Sequence, residues 1–332
     1  MKTASIGVEN LCVPCRAACR YCLLSSCGRA TGVSYDKGKS FAARFLSELR
    51  EKRPDLGSYY YIGYCMDAPD LADYIRFCRE TGSPSAKFLQ FNGLSLRDER
   101  ETAELVGMVK AEGVETIDLT FYGTRDYHDR FSGRAGDFDF LLRILAAANR
   151  ERLAVTASIP LIRENMGQME ELLDTLLAHG LGAFTIFLPH SKGRGGALDG
   201  QRLTKREFDT LSDRVKAHFI KARCQTEGEW LRENVWPEPE QRTLTLCLTE
   251  ENIGRLEAMP AEDIVRFLEE LDDNYRAQVP PLAELARLYG NREGERLFRL
   301  RDLHLSWQQR YLREHPGIYD MNDECHHFSV HT

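Results

Sequence analysis

The sequence predicts an α/β protein, with a parallel sheet and crossover helices over about the first 200 of its 332 residues and helices after them. Two observations predict this class. Short β-like runs alternate with amphipathic stretches up to about Leu198, and from Thr204 onward the pattern becomes helical. Six such alternations imply right-handed crossovers, in an open doubly wound sheet or in a full or partial barrel. We therefore expect an α/β domain over residues 1–203 and a helical region over 204–332.

The elements follow from hydrophobic periodicity and from the residues that bound each run. Candidate strands are bounded by Gly, Pro or charged clusters. They span residues 4–9, 59–64, 86–91, 116–121, 154–159 and 183–188. Helices with apolar residues at helical spacing are predicted between them, over 40–52, 68–80, 97–112, 138–150 and 166–179. In the C-terminal region helices are predicted over 205–222, 249–257, 261–271, 282–288 and 293–315.

The composition of the chain indicates which partners and which cellular compartment to expect. The chain carries 44 Lys and Arg against 51 Asp and Glu, a formal charge of −7, so it lacks the basic excess of generic nucleic-acid binders. The longest uncharged run is too short and too interrupted to span a bilayer, and the first residues lack an apolar signal core. We expect a cytoplasmic protein, with neither a membrane nor nucleic acid as partner. Disulfides are rare in that compartment, so the ten cysteines need another explanation.

Five cysteines lie within the first 27 residues, and three of them form a motif. Cys15, Cys19 and Cys22 read C-x3-C-x2-C directly after the first predicted strand. Three thiolates this close on one loop can hold a four-iron four-sulfur cluster. Since such a cluster usually takes four protein ligands, a three-cysteine loop leaves one iron open for another molecule. The carboxyl ends of the strands, where this loop lies, are the expected place for an active site.

Two other metal sites are compatible with the same residues. Cys12-x2-Cys15 and Cys19-x2-Cys22 are two C-x2-C pairs, as in zinc sites, but zinc ribbons usually separate their pairs by about 15 residues or more. A ferredoxin-like electron carrier would use all four cysteines, yet such carriers are usually small and need no α/β domain. Both alternatives are disfavoured, and packing is the expected role of Cys12.

The cysteine motif resembles that of the radical S-adenosylmethionine superfamily, which commonly has an aromatic residue before the last cysteine, as Tyr21 is here. The resemblance implies a partial (β/α)6 barrel of the radical SAM type, a [4Fe-4S] cluster and S-adenosylmethionine as cofactors. It also implies that Cys15, Cys19 and Cys22 ligate three irons while the fourth iron binds the methionine end of S-adenosylmethionine. The implied reaction is reductive cleavage to a 5'-deoxyadenosyl radical, which abstracts a hydrogen atom from the substrate.

The segment after the second strand departs from the family. Relatives have Gly-Gly-Glu-Pro there, whereas this chain has Gly63-Tyr64 and, three residues on, Asp67. By resemblance Gly63 and Tyr64 lie at the methionine amino group, and either Tyr64 or Asp67 stands for the glutamate. Asn92, in Phe91-Asn92-Gly93, is similar to the family's Thr-Asn-Gly and is also assigned to the cofactor.

The later strands are similar to the peptide-modifying and sulfatase-maturing branch. By that resemblance Thr120 meets the ribose, and Arg134 binds the methionine carboxylate, for which a guanidinium is a fork-shaped match. We expect His128 and Asp129 to hold a loop. The remaining assignments to the cofactor site are Ser158 in the fifth strand and Leu188 at the end of the sixth.

The C-terminal third does not match that branch, since it lacks a cysteine-rich extension for further clusters. We expect one cluster, with the C-terminal region and its irregular tail capping the barrel. The sequence therefore predicts a radical SAM enzyme acting on a peptide or a small molecule, with an electron donor such as flavodoxin or ferredoxin. The alternative is an iron–sulfur binding or electron-transfer protein without S-adenosylmethionine cleavage.

Overall fold

Nine strands and two parallel sheets organise the part of the chain described by the computed structural model, residues 1–23, 32–61, 67–83, 86–318 and 320. Strands β1 to β6 are Lys2–Glu9, Gly57–Tyr61, Phe88–Gln90, Thr116–Thr120, Ala154–Pro160 and Phe184–Phe187. Strands β7 to β9 are Cys224–Thr226, Gln241–Cys247 and Leu297–Arg299. One parallel sheet has the order β2-β1-β8 and the other β3-β4-β5-β6, while β7 and β9 form an antiparallel pair.

Helices follow the strands of the N-terminal part in the predicted alternation. Helices α1 to α6 are Tyr35–Lys52, Leu71–Glu80, Glu99–Ala111, Arg125–Ser132, Asp137–Glu151 and Met169–Ala178. Helices α7 to α13 are Lys205–Asp209, Asp213–Ala217, Glu227–Glu233, Ile253–Glu257, Ala261–Gln278, Leu282–Tyr289 and Leu300–Glu314. Short 3₁₀ helices occupy Met166–Gln168 and Gly193–Gln201. In the described part of the chain, no helix is both long and apolar enough to cross a membrane.

The two faces of the β3-β4-β5-β6 sheet differ in chemistry. In β4, Ile117 and Leu119 are fully buried in the main hydrophobic core, together with residues of α3 and α5. Asp118 and Thr120 alternate with them and point to the opposite face, because successive side chains of a strand project to opposite sides. The sheet thus buries an apolar face under the helices and keeps a polar inner face.

Strand β8 corrects the prediction that the C-terminal region is helical. It pairs in parallel with β1, with Ile6 opposite Leu244 and Glu9 opposite Cys247. Residues 243–247 alternate polar and apolar side chains with the period of a strand, but the run is short and its neighbours are charged. The predicted helix over 205–222 is also divided, into α7 and α8, and the one over 293–315 begins as β9. The C-terminal region therefore contributes a strand to the sheet that contains β1.

Candidate functional site

The cysteine loop, defined here as residues 10–23, is fixed to three neighbouring segments by backbone hydrogen bonds. It follows β1, and its partners are the segments after β3, at the end of α4 and after β6. The bonds are from Arg16 N to Gly93 O (2.7 Å), Ala18 N to Ser132 O (2.7 Å), Arg20 N to Phe131 O (3.1 Å) and Arg194 N to Cys22 O (2.9 Å). The loop therefore lies across the carboxyl ends of the strands, as expected from the sequence.

Gly93 makes room for the first cysteine. Its φ of +72° is a conformation that side chains other than glycine rarely adopt, and a Cβ there would lie 2.2 Å from Cys15 Sγ. The family-like Asn92-Gly93 pair thus has a steric reason here, because only glycine allows the loop to approach the end of β3 this closely.

Three buried thiolates at these cysteines would repel one another, and a positively charged iron–sulfur cluster would offset that repulsion. Burial raises the pKa of Cys19 to about 12; the hydrogen bond from Tyr122 Oη to Cys19 Sγ (3.0 Å) lowers it, and the neighbouring Cys15 and Cys22 raise it further. Thiolates, not thiols, are metal ligands, so three of them here require a compensating cation. A cluster held by thiolates supplies that positive charge.

Within the described residues, no three His, Cys, Asp or Glu side chains are grouped as ligands of a single metal ion. A cluster that offers a separate iron to each thiolate does not need so close a group. Cys12 packs against the main hydrophobic core, in line with the role expected for it. Cys27, Cys65 and Cys325 lie outside the described residues.

A polar network runs from the cysteine loop to the end of β4. The Tyr21 hydroxyl hydrogen bonds with Thr120 and Tyr122, and burial raises its pKa well above the usual range. Asn92 makes two hydrogen bonds with Thr120. Its Nδ2 donates to Thr120 Oγ1 and its Oδ1 accepts from Thr120 N, both at 2.9 Å. Two of the predicted cofactor residues, Asn92 and Thr120, are thus brought into direct contact.

Ser158 belongs to a second polar group on the same inner face, centred on a residue that the sequence analysis missed. Asp118 Oδ1 accepts from Thr156 Oγ1 (2.7 Å) and Ser158 Oγ (3.1 Å), while Oδ2 is buried without a hydrogen-bond partner in the described part of the chain. Burial raises the pKa of Asp118 to about 6, against the opposing effect of these two hydroxyls. The signal was available, because Asp118 is a charged residue between two apolar ones in a predicted strand.

Asp67, one of the two residues that could stand for the family's glutamate, is engaged elsewhere. Asp67 accepts from Ser95 N (2.9 Å) and Ser95 Oγ (2.8 Å), and it pairs with Arg97 Nη2 (2.7 Å). Both of its carboxylate oxygens therefore bind residues of the segment between β3 and α3 and fix that segment in place. Gly63 and Tyr64, the other residues assigned to this contact, lie outside the described residues.

Arg134 has partners that the sequence did not indicate. Its Nη1 donates to Leu94 O and its Nη2 to the buried carboxylate of Asp137. His128 Nδ1 accepts from Tyr122 N (3.2 Å), so Nε2 carries the proton and donates to Asp137 (3.3 Å). Burial raises the pKa of Asp137, but the hydrogen bond from His128 and the charge and hydrogen bond of Arg134 more than offset this and lower it. A ligand carboxylate would have to compete with Asp137 for Arg134.

The neighbouring Asp129 caps helix α5. Its two carboxylate oxygens accept from Gly136 N (2.6 Å) and Phe138 N (2.9 Å). His128 and Asp129 both hold this loop, in line with the sequence expectation. Leu188 is fully buried after β6, and its carbonyl accepts from Arg299 Nη2 (3.2 Å).

Comparison with known proteins gives independent evidence for the fold. No protein-family model and no curated protein match the chain. Among solved structures, SuiB of Streptococcus suis bound to the precursor peptide SuiA matches with a TM-score of 0.52 and 10% identity, over 74% of this chain and 58% of that one. SuiB bound to S-adenosylmethionine matches with a TM-score of 0.51 and 11% identity, over 74% and 59%. The chain thus spans less than two thirds of the length of these structures.

A third match, with a TM-score of 0.44 and 11% identity over 75% of this chain and 63% of that one, is coproporphyrinogen III oxidase (HemN) of Escherichia coli, described as a radical SAM enzyme. SuiB is also a radical SAM enzyme. Its two TM-scores lie above 0.5, and the similarity in fold rests on them. The chain therefore has the partial-barrel α/β fold of radical SAM enzymes, which confirms the fold predicted from its cysteine motif.

Proposed function

We propose that the protein is a radical SAM enzyme whose Cys15, Cys19 and Cys22 hold a [4Fe-4S] cluster. The observation that carries this proposal is the position of the C-x3-C-x2-C loop, fixed by backbone hydrogen bonds to segments after β3, α4 and β6. When bound, the reduced cluster and S-adenosylmethionine would supply the 5'-deoxyadenosyl radical for hydrogen-atom abstraction. The chain's own residues position the two cofactors and exclude water.

Three residues of the polar inner face are the best-supported contacts for S-adenosylmethionine. Asn92 orients the Thr120 hydroxyl, and Ser158 lies opposite Thr120 on the adjacent strand β5. Hydroxyl and amide groups in this arrangement can hydrogen bond a ribose. Leu188 could cover the adenine. Gly63 and Tyr64 complete the proposed set on the sequence resemblance alone. The resemblance also assigns Arg134 to the methionine carboxylate, but its pairing with the buried Asp137 supports a structural role instead.

The substrate class and the electron source follow from weaker indications. The sequence resemblance to the peptide-modifying branch favours a peptide, and SuiB has been crystallised with a precursor peptide. A small molecule is the second possibility. The cluster needs one-electron reduction, for which we propose a flavodoxin or ferredoxin in the cytoplasm.

One observation favours a second function, that of an iron–sulfur binding or electron-transfer protein without cleavage chemistry. The family's glutamate is absent, and its substitute Asp67 is engaged by Ser95 and Arg97. A chain that retains the cysteine loop but binds the methionine end poorly would keep a cluster without using it.

Anaerobic reconstitution with iron and sulfide, followed by S-adenosylmethionine and dithionite, separates the two functions. The enzyme should form 5'-deoxyadenosine, detected by liquid chromatography and mass spectrometry. Reactions that lack either dithionite or S-adenosylmethionine serve as controls. An intact cluster that gives no 5'-deoxyadenosine would establish the carrier instead, and failure to incorporate any cluster would refute both.

A further inference from the structure

A group of basic side chains lies where β6 ends, and two of its members come from the C-terminal region. We call His190, Arg299 and Arg301 the β6 basic cluster. Arg299 is the last residue of β9, and Arg301 lies in the first turn of α13. The Nη2 atoms of Arg299 and Arg301 approach His190 Nδ1 to 3.1 Å and 2.9 Å, so the two guanidinium groups lie within about 6 Å of each other.

The cluster concentrates positive charge in a partly buried place. Asp302 pairs closely with Arg299, at 2.6 Å, and more distantly with Arg301, at 3.8 Å. Burial and the Arg299 charge lower the pKa of Arg301 to about 10, and they prevail over the attraction of Asp302. Burial likewise lowers the pKa of His190 to about 4, helped by the charges of Arg301 and Arg299, and these effects prevail over the neighbouring Asp302, whose Oδ1 lies 3.1 Å from His190 Nδ1. The surroundings of Arg301 thus disfavour a cation, and an anion bound there would relieve that cost.

The start of helix α13 adds to this field. The first backbone N–H groups of a helix carry partial positive charge, and acidic side chains are the usual residues there. Helix α13 has 15 residues, begins after Arg299 without a side-chain cap, and places Arg301 in its first turn. Asp302, in the same first turn, offsets the charge of Arg299 closely and that of Arg301 only at a distance, and the remaining positive charge at this end of the helix attracts an anion.

The cluster is partly exposed to solvent and adjoins the cysteine loop. The side chains of His190 and Arg301 are 16% and 23% exposed. Four residues after His190, Arg194 donates from its backbone to Cys22 O and from Nε to Cys19 O (3.0 Å). Gly195 packs so closely on the His190 carbonyl that a Cβ would lie 2.4 Å from it. One short segment therefore connects the basic cluster to the proposed iron ligands.

We propose that the β6 basic cluster binds an anionic group of the substrate, a carboxylate or a phosphate, and so anchors the substrate beside the cysteine loop. This inference rests on the proposed function for the identity of the bound molecule as substrate. The net charge of the chain is −7, so the attraction is local to the cluster and not a property of the whole surface.

Anion binding by the full-length protein, with its cluster reconstituted, tests the proposal. The probe is inorganic phosphate, exchanged for chloride at constant ionic strength, with the unfolding temperature and ³¹P line width as readouts. A ligand that binds only the native state stabilises it by RT ln(1 + L/Kd), where L is the free ligand concentration. We expect Arg301→Gln to weaken phosphate binding at least tenfold and Arg301→Lys to weaken it less. Arg310→Gln is the matched control, since Arg310 lies on the same helix in an exposed pair with Glu314.

Four results would overturn the proposal. The first is an equal phosphate response in the wild type, Arg301→Gln and Arg310→Gln. The second is loss of the response when S-adenosylmethionine is added, which would assign the site to the cofactor's own carboxylate. The third is a response that appears only after residues 321–332 are deleted, which would assign the site to the chain's acidic tail. The fourth is no phosphate response in the wild type. The same titration on the cluster-free protein separates this inference from the proposed function, because phosphate binding does not require iron.

Discussion

The cysteine loop and the segment of residues 128–137 both carry motif-like polar residues, yet the fold uses them in opposite ways. In the cysteine loop, backbone atoms make most of the contacts that fix the loop in place, with added side-chain bonds from Arg20 to Glu164 and from Tyr122 to Cys19. In the other segment, His128, Asp129, Arg134 and Asp137 bind one another and the backbone around them. A motif whose side chains bind one another shapes the fold, whereas a motif held mainly through its backbone can present its thiols to a metal cluster.

The largest effect that this comparison predicts is on the binding of the iron–sulfur cluster. Cys19→Ala should abolish the visible iron–sulfur absorption after anaerobic reconstitution, because it removes one of three ligands. Cys12→Ala is the control, since Cys12 packs against the core and should leave the spectrum unchanged. A full cluster in Cys19→Ala would disprove the ligand assignment, and about eight irons per chain would reveal a second cluster.

The next largest effect is expected on the free energy of unfolding, when Arg134 is replaced by alanine. Arg134→Ala leaves the buried Asp137 with His128 alone and should cost about 3 kcal/mol in urea unfolding, as for other broken buried ion pairs. S-adenosylmethionine affinity should change by less than about threefold, because the guanidinium is already engaged.

Arg125→Ala is the control for this experiment, as its pair with Asp139 is exposed and should contribute little. If Arg134→Ala instead weakened S-adenosylmethionine binding by roughly ten- to a hundredfold and left stability intact, Arg134 would be the carboxylate ligand predicted from the sequence.

Asp118 lies between these two cases, because one of its oxygens is satisfied and the other is not. Its pKa is raised from 3.8 to about 6 by burial, so the folded state binds a proton more tightly than the unfolded chain does. The contribution of Asp118 to stability is therefore present below about pH 4 and is lost as the pH rises to about 6. Asp118→Asn should remove this fall, which amounts to about 3 kcal/mol at most.

Urea unfolding at pH 4, 5, 6 and 7 measures the difference between the wild type and Asp118→Asn. Glu9, whose pKa burial raises to about 7, contributes a similar slope to both proteins and cancels in the difference. A pH-independent difference would show that Asp118 is already neutral or already solvated.

The smallest expected effect is on the cluster's reduction potential. Tyr122 donates to Cys19 Sγ, and a hydrogen bond to a ligating sulfur favours the reduced, more negative cluster. Tyr122→Phe should change the reduction equilibrium two- to tenfold, a shift of about 20 to 60 mV to lower potential in an EPR-monitored titration. Tyr127→Phe is the control, because the Tyr127 hydroxyl donates to Glu164. An unchanged potential in Tyr122→Phe would remove Tyr122 from any influence on the cluster.

The sequence predicted the part of the molecule that local pattern controls. The six strands of the α/β region, their order of alternation and the cysteine loop follow from periodicity and spacing, and Asn92, Thr120 and Ser158 are found on or beside the inner face. It did not predict β8, whose seven residues become a strand by pairing with β1. Nor did it predict the β6 basic cluster, because His190 and Arg301 meet across 111 positions of sequence. Both failures concern contacts between distant segments, about which hydrophobic periodicity carries no information.

The pairing of β1 with β8 also dictates the order in which the molecule can be assembled. Ser5 and Thr243 hydrogen bond across a separation of 238 residues, so β1 gains its second neighbour only after most of the chain has been synthesised. At about 5 to 20 residues per second, the cysteine loop spends roughly ten to fifty seconds attached to a strand with one open edge. Closing so long a chain segment is entropically slow, and topologies of high contact order fold slowly for this reason. The three thiols are thus synthesised early, whereas the sheet edge beside them is completed late.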